Sequence, residues 1–122
     1  SCAHLRPMTR DTLFLLPPGF LANGRREFCP ECAELWGFLG YYPAIRETLD
    51  IRYQEIAHPR EGLVAMLGEG RWNCPTLVLG PDAPHQEFPE IGRANGRAYL
   101  GSARAIARYY AVRFGTPLPR GG

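Results

Sequence analysis

Lysine is absent from this sequence of 122 residues, and all fourteen basic residues are arginine. A chain without lysine has no ε-amino group for Schiff-base chemistry and no P-loop lysine for binding phosphates. The arginines are dispersed along the chain and the formal net charge is only +2, whereas nucleic-acid-binding domains gather basic residues on one face. The sequence therefore favours a protein that does not bind nucleic acid.

Long apolar stretches are missing as well. No run of about 18 apolar residues occurs, so the sequence offers no transmembrane helix. Residues 1–10 contain no apolar segment of the kind found in a secretory signal peptide. We therefore predict a cytoplasmic protein that does not contact a membrane.

Cysteine is sparse, with four residues at positions 2, 29, 32 and 74. Four cysteines could form two disulfides, but small secreted domains use such bonds because their cores are too small. A chain of this length buries roughly two-thirds of its unfolded surface and can depend on its own core. We therefore expect reduced thiols in a cytosolic setting.

The length fits one domain, which we predict over residues 11–116, between an N-terminal tail at 1–10 and a C-terminal tail at 117–122. Short apolar runs predict strands and apolar positions at helical spacing predict helices. The predicted strands are 12–16, 51–56, 76–79 and 97–100; the predicted helices are 29–42, 59–67 and one that begins after Ser102; 44–49 is a short turn, and 17–28 and 80–96 are loops.

The predicted order is β-α-β-α-β-β-α. A strand–helix–strand beginning implies a parallel pair of strands joined by a right-handed crossover, and the closely spaced later strands suggest an antiparallel pair. The sequence thus predicts an α/β fold in which a mixed four-stranded sheet is flanked by helices.

The segment Cys29-Pro30-Glu31-Cys32 (CPEC) begins the first predicted helix. Pro30 suits the first helical position, because its missing N–H would have no partner there. Cys29 then becomes the N-cap, and Cys32 lies one turn into the helix. The N–H groups at a helix N-terminus favour the thiolate form of Cys29 and make it a better leaving group in disulfide exchange.

Three motifs together resemble the thioredoxin-like superfamily. CPEC stands where thioredoxins and glutaredoxins carry CxxC. The segment 74–76 (Cys-Pro-Thr) is similar to the cis-proline segment of that fold, and the serine-led last helix at 101–110 is similar to that of glutathione-transferase N-terminal domains. The opening strand with CPEC also resembles an uncharacterised bacterial thioredoxin-like family. The resemblance covers roughly residues 11–115.

The resemblance implies a thioredoxin-like fold with a cis bond before Pro75. It also implies roles for individual residues: Cys29 as the attacking thiol and Cys32 as the resolving thiol. The residues that it implies for substrate binding are Cys74, Pro75, Thr76, Gly101 and Ser102.

Cys74 has three interpretations. It is a small buried residue, an alternative disulfide partner for CPEC, or a third thiolate in a metal site. A zinc site needs four ligands, and the sequence offers His4, His58 and His85 as the fourth. A single CxxC without a second pair is a weak zinc motif, so our prediction includes no metal.

The leading functional hypothesis is a thiol–disulfide oxidoreductase of glutaredoxin-like type. It would act through CPEC on glutathione or protein disulfides, with no bound cofactor and with glutathione as a candidate cosubstrate. The alternative is a non-catalytic thioredoxin-fold module that binds a peptide, glutathione or a protein partner. A metal-binding structural domain is the third hypothesis.

Overall fold

The structure, a computed structural model, describes residues 9–121. The sequence-based statements about Cys2, His4 and the first part of the N-terminal tail lie outside the described residues. No helix within 9–121 is both long enough and apolar enough to cross a membrane.

Seven strands and four helices make up the described part of the chain. In chain order they are β1 (Asp11–Leu15), β2 (Phe20–Ala22), β3 (Arg25–Glu27), α1 (Pro30–Tyr41), α2 (Pro43–Arg46), β4 (Leu49–Tyr53), α3 (Glu61–Leu67), β5 (Thr76–Val78), β6 (Gly92–Ala94), β7 (Arg97–Leu100) and α4 (Ala103–Phe114).

Five of the strands form one mixed sheet in the order β4-β1-β5-β7-β6. β1 and β4 are parallel, and the other neighbouring pairs are antiparallel. The predicted mixed sheet flanked by helices is therefore confirmed, but it has five strands where we predicted four.

The additional strand is β6, which lies in the segment predicted as a loop. Asn95 and Gly96 both have positive φ angles, of 51° and 72°. Two consecutive residues with positive φ form the tight turn that joins antiparallel strands. This turn connects β6 to β7 and places Gly92 opposite Tyr99. The sequence prediction recognised the turn but missed the strand before it, because a three-residue strand shows almost no alternation.

The predicted loop at 17–28 also contains a hairpin, formed by β2 and β3. Asn23 and Gly24 turn the chain with φ angles of 54° and 74°. Arg25 and Arg26 are exposed, and each strand has only three residues, so the sequence pattern of this two-stranded sheet is too short to show alternation. The hairpin leads directly into α1.

The core lies on both sides of β1. Leu13, Phe14 and Leu15 are completely buried, because an inner strand covered on both faces is apolar throughout its length. Leu35 of α1 and Tyr110 of α4 are also inaccessible to solvent.

A buried carboxylate fixes the beginning of β1. Asp11 is only 2% exposed and accepts hydrogen bonds from Gly80 N (2.8 Å), Tyr110 Oη (2.8 Å) and Arg113 Nη1 (2.7 Å). Burial raises the pKa of Tyr110 well above its ordinary value, and the neighbouring carboxylate raises it further. The tyrosine therefore stays neutral and keeps donating to Asp11.

Substitution of Gly80 tests how closely the backbone packs beside Asp11. A Cβ at Gly80 would overlap the carbonyl oxygen of Thr9 and lie 3.1 Å from its carbonyl carbon. We expect Gly80→Ala to lower the free energy of unfolding by about 1–3 kcal/mol, because backbone must move to accept the methyl group. Urea denaturation monitored by circular dichroism would measure this change.

The matched control is Gly37→Ala in α1, where an added Cβ meets no atom within 4 Å. Alanine should stabilise that helix interior by roughly 0.5–1 kcal/mol. Equal effects of the two substitutions would contradict the packing described at Gly80.

Candidate functional site

CPEC forms the first turn of α1 in the way that the sequence predicts. Cys29 has extended backbone angles (φ −83°, ψ 113°) and is the N-cap, followed by Pro30 at the beginning of the helix. Its Sγ accepts a hydrogen bond from Cys32 N at 3.2 Å. The sulfur of Cys29 thus receives the backbone donor that a helix N-terminus leaves free.

The two CPEC thiols differ in their access to solvent. Cys29 is half-buried, whereas Cys32 is 3% exposed, and both are free thiols. Burial raises the pKa of Cys32 to about 12, and its hydrogen bond with Cys29 contributes to the rise. Cys29 is therefore the thiol that a substrate can reach, and Cys32 lies behind it.

Cys74 is a third free thiol in the same region. It is 8% exposed, and burial raises its pKa to about 11, although the nearby Arg60 guanidinium opposes this rise. Charge on Cys29 raises the pKa of Cys74, and charge on Cys74 raises that of Cys32. The structure thus makes the three thiols electrostatic neighbours.

Pro75 and Thr76 follow Cys74 at the beginning of β5. The peptide bond before Pro75 is cis, which agrees with the expectation from the resemblance. Thr76 is buried and donates from Oγ1 to Asn73 O at 2.6 Å. Asn73 in turn donates from Nδ2 to Gly101 O at 2.7 Å, so it joins the segment before β5 to the segment before α4. The sequence analysis did not single out Asn73, because its partner is distant in sequence.

The N-terminus of α4 is capped from two directions. Ser102 Oγ accepts from Ala105 N at 3.1 Å, as its predicted N-cap position requires. Glu31 Oε2 accepts from Ala103 N at 2.8 Å. The central residue pair of CPEC therefore does more than separate the cysteines, since Glu31 attaches the first turn of α1 to α4.

Arg60 is the main site residue that sequence reasoning missed. It is 8% exposed and donates to three backbone carbonyls: Glu55 O at 2.9 Å, Trp72 O at 2.6 Å and Ile56 O at 3.1 Å. In the sequence it is one of fourteen dispersed arginines. No local pattern distinguishes it from the arginines that remain in solvent.

A cleft of about 560 Å³ opens beside Cys74. Among the residues that line it are Arg60, Arg71, Trp72 and Gly101. The structure therefore places Cys74, Thr76 and Gly101 of the predicted site at one cavity. Ser102 follows Gly101 in the sequence and is not among the residues that line this cavity.

Residues 9–121 contain no group of three or more His, Cys, Asp or Glu side chains that could hold a metal ion. His58 stacks on Trp72, with ring centroids 4.7 Å apart, and His85 lies 3.7 Å from Glu87. The hypothesis that Cys74 is a metal ligand therefore gains no support from this part of the chain.

The fold and the site define an α/β protein in which a helix-capping cysteine lies beside two buried thiols. The chain belongs to the family described as "Protein of unknown function (DUF3088)", which it matches over residues 10–118. No curated protein and no solved structure matches it.

The different environments of the thiols predict an order of alkylation. Cys32 and Cys74 have pKa values raised by burial, so at pH 8 both remain almost entirely protonated thiols. Because both are also buried, we expect iodoacetamide to modify Cys29 first. Peptide mass spectrometry over a time course would give the three rates.

The control is the same time course in 8 M urea (about the concentration that unfolds most small domains), where the three rates should converge. Native protein in which Cys32 or Cys74 reacts faster than Cys29 would contradict the described burial.

The capping contact of Glu31 predicts a loss of stability. Glu31→Ala removes the acceptor for Ala103 N, and we expect it to cost about 1 kcal/mol, as the loss of an N-cap does. Glu31→Gln keeps an acceptor oxygen and should cost less. Thermal unfolding of the two variants measures the difference.

Glu34→Ala is a suitable comparison, because Glu34 lies one turn further along α1 in an exposed ion pair with Arg104. Exposed pairs of this kind contribute only about 0–1 kcal/mol. If Glu31→Ala and Glu31→Gln were both as mild as Glu34→Ala, Glu31 would not be a cap of α4.

Proposed function

We propose that this chain is a thiol–disulfide oxidoreductase of thioredoxin-like fold and glutaredoxin-like type. The observation that carries the proposal is the geometry of CPEC: an accessible Cys29 caps α1, and the buried Cys32 lies one turn behind it and donates its N–H to the Cys29 sulfur. This is the arrangement that a pair of attacking and resolving thiols requires.

The topology supports the thioredoxin-like assignment. β1, α1 and β4 form a parallel unit, after which β5 and β7 continue the sheet in antiparallel order and α4 follows. The Cys-Pro-Thr segment stands at the beginning of β5, beside the CPEC helix. β1 and β4 are the predicted parallel pair, and β5 and β7 are the predicted antiparallel pair.

In the proposed reaction, the Cys29 thiolate attacks one sulfur of a glutathione or protein disulfide. The substrate S–S bond breaks, its second sulfur leaves as a thiolate and takes a proton from water, and a mixed disulfide forms at Cys29. Cys32 then loses its proton to water and attacks the Cys29 sulfur. The second substrate thiol leaves, and the Cys29–Cys32 disulfide remains.

The substrate disulfide thus gains two electrons and the CPEC dithiol loses two. Two glutathione thiols restore the dithiol and become glutathione disulfide. The high pKa of Cys32 fits the second position in this sequence, because a buried neutral thiol does not compete with Cys29 for the incoming disulfide.

The predicted substrate-binding residues line or adjoin the cleft. We assign Cys74, Pro75 and Thr76 to the segment along which the substrate backbone lies, and Gly101 and Ser102 to the opposite side. Ser102 Oγ accepts from Ala105 N, so its hydroxyl hydrogen is the group that it can offer to a ligand.

The test is turnover of a glutathione mixed disulfide, coupled to glutathione reductase and measured by NADPH consumption. Wild-type protein should show steady turnover, and Cys29→Ser should reduce it to background because no other accessible thiol in the site can attack. Arg97→Gln, an exposed residue on β7 outside the cleft, is the control and should retain activity. Equal turnover rates for wild type and Cys29→Ser would contradict the proposal.

A binding module without turnover is the second candidate. It is favoured by exposed apolar side chains in the segment that precedes Cys29, where Leu21 is 70% and Phe28 is 61% exposed, as a docking surface for a peptide would be. Saturable binding of reduced glutathione or of a cysteine-containing peptide by a protein that shows no turnover would support this candidate over the first.

A further inference from the structure

The buried charge of Arg60 has no acidic partner among residues 9–121. The ion pairs within this range join other arginines or His85 to Asp or Glu. The Arg60 guanidinium donates to three backbone carbonyls and to the Cys74 sulfur. Burial of a charge is costly unless an opposite charge accompanies it. A site that keeps such a residue at a cavity is suited to an anion.

The cavity has positive charge and no carboxylate of its own. Arg60 and Arg71 line it, and none of its lining residues is Asp or Glu. Arg71 is exposed and lies over the ring of Tyr99, 5.9 Å from its centroid. One arginine is therefore fixed in the wall, and the second is held at the rim by an aromatic side chain.

The remaining walls are mixed, with polar side chains from Asn73 and Thr76 and an apolar part formed by Trp72 and two leucines. Trp72 is 39% exposed and stacks on His58, while Leu63 and Leu67 are buried behind the cleft. A volume of about 560 Å³ is typical of a site for a small organic molecule. The cleft thus offers one charged corner and a flat apolar surface.

The hydrogen-bonding capacity of Arg60 favours a small planar anion. A guanidinium has five N–H groups, and three of them are used on the carbonyls of Glu55, Ile56 and Trp72. Two remain, of which the Cys74 sulfur takes one, so one is left for a ligand. A carboxylate has two oxygens in one plane, so one oxygen can accept from Arg60 while the other accepts from Arg71 at the rim.

We propose that the cleft binds a small organic carboxylate. Arg60 holds the carboxylate beside the Cys74 thiol, Arg71 closes over it from the rim, and Trp72 contacts the apolar part of the ligand. The proposed function assigns the substrate backbone to the edge of this same cleft, but the carboxylate contact needs neither the Cys29 thiol nor disulfide exchange. The experiments below follow Cys74 and require no turnover, so their failure is distinguishable from a failure of the proposed function.

Alkylating reagents that differ only in charge test the proposal. Iodoacetate and iodoacetamide carry the same reactive carbon and leaving group, but only iodoacetate is an anion. At pH 9.5 more of Cys74 is thiolate than at neutral pH, because burial raises its pKa to about 11, and its reaction is followed by peptide mass spectrometry. We expect the iodoacetate-to-iodoacetamide rate ratio at Cys74 to exceed the ratio at Cys29 by about fivefold or more.

Protection provides a second readout that uses the unmodified protein. Phenylacetate should slow the reaction of Cys74 with iodoacetamide in a saturable way, whereas the neutral phenylacetamide should have no effect. Equal reagent ratios at Cys29 and Cys74 would overturn the proposal, and so would equal protection by the two phenyl compounds.

Substitutions of single arginines show which guanidinium causes the preference of Cys74 for iodoacetate. Arg71→Gln should lower the Cys74 ratio, and Arg97→Gln, an exposed arginine on β7 outside the cleft, should leave it unchanged. Arg60→Met should abolish the charge preference, and Arg60→Lys should preserve part of it if the variant folds by circular dichroism. An unchanged ratio in folded Arg60→Met protein would also overturn the proposal.

Discussion

The buried carboxylate of Asp11 is the constraint on which the rest of this structure depends. It accepts hydrogen bonds from Gly80, Tyr110 and Arg113, and thereby fixes the beginning of β1 against the end of the β5 segment and against α4. The loss of any of these donors would leave a charge or a polar group unsatisfied in the core, which costs more than an exposed pair contributes. Because β1 is an inner strand of the sheet, this contact sets the position of α4 relative to the strands.

The site is assembled at the other end of these elements. α1, β5 and α4 all begin there, and two long-range hydrogen bonds hold their beginnings together: Glu31 to Ala103 and Asn73 to Gly101. The first bond gives Ala103 N an acceptor, and the second gives the carbonyl oxygen of Gly101, at the cleft, a donor. The rigidity that disulfide exchange would need at Cys29 thus comes from residues that carry no redox chemistry themselves.

Two chemical environments lie side by side in this region. At the beginning of α1, a half-buried sulfur receives a backbone N–H, and a second thiol is kept neutral by burial. Around Cys74, burial raises the pKa while the Arg60 guanidinium lowers it, so the charge of arginine partly compensates the missing solvent. The first environment suits exchange of disulfides and the second suits recognition of an anion, and a single compact fold brings both to one face.

The sequence by itself determined the local features of this protein. Pro30 and Cys29 marked the beginning of α1, Ser102 marked that of α4, and an apolar run marked β1, because capping and periodicity are read from neighbouring residues. The short strands β2, β3 and β6 escaped it, since each has three residues and none is fully buried, whereas the equally short β5 is buried throughout and belongs to an apolar run. Only the tertiary structure showed which of the fourteen arginines is buried at the cleft, namely Arg60. It also showed that Asp11 accepts hydrogen bonds from donors 99 and 102 residues away. Burial and long-range pairing depend on how the whole chain folds, so the local sequence does not reveal them.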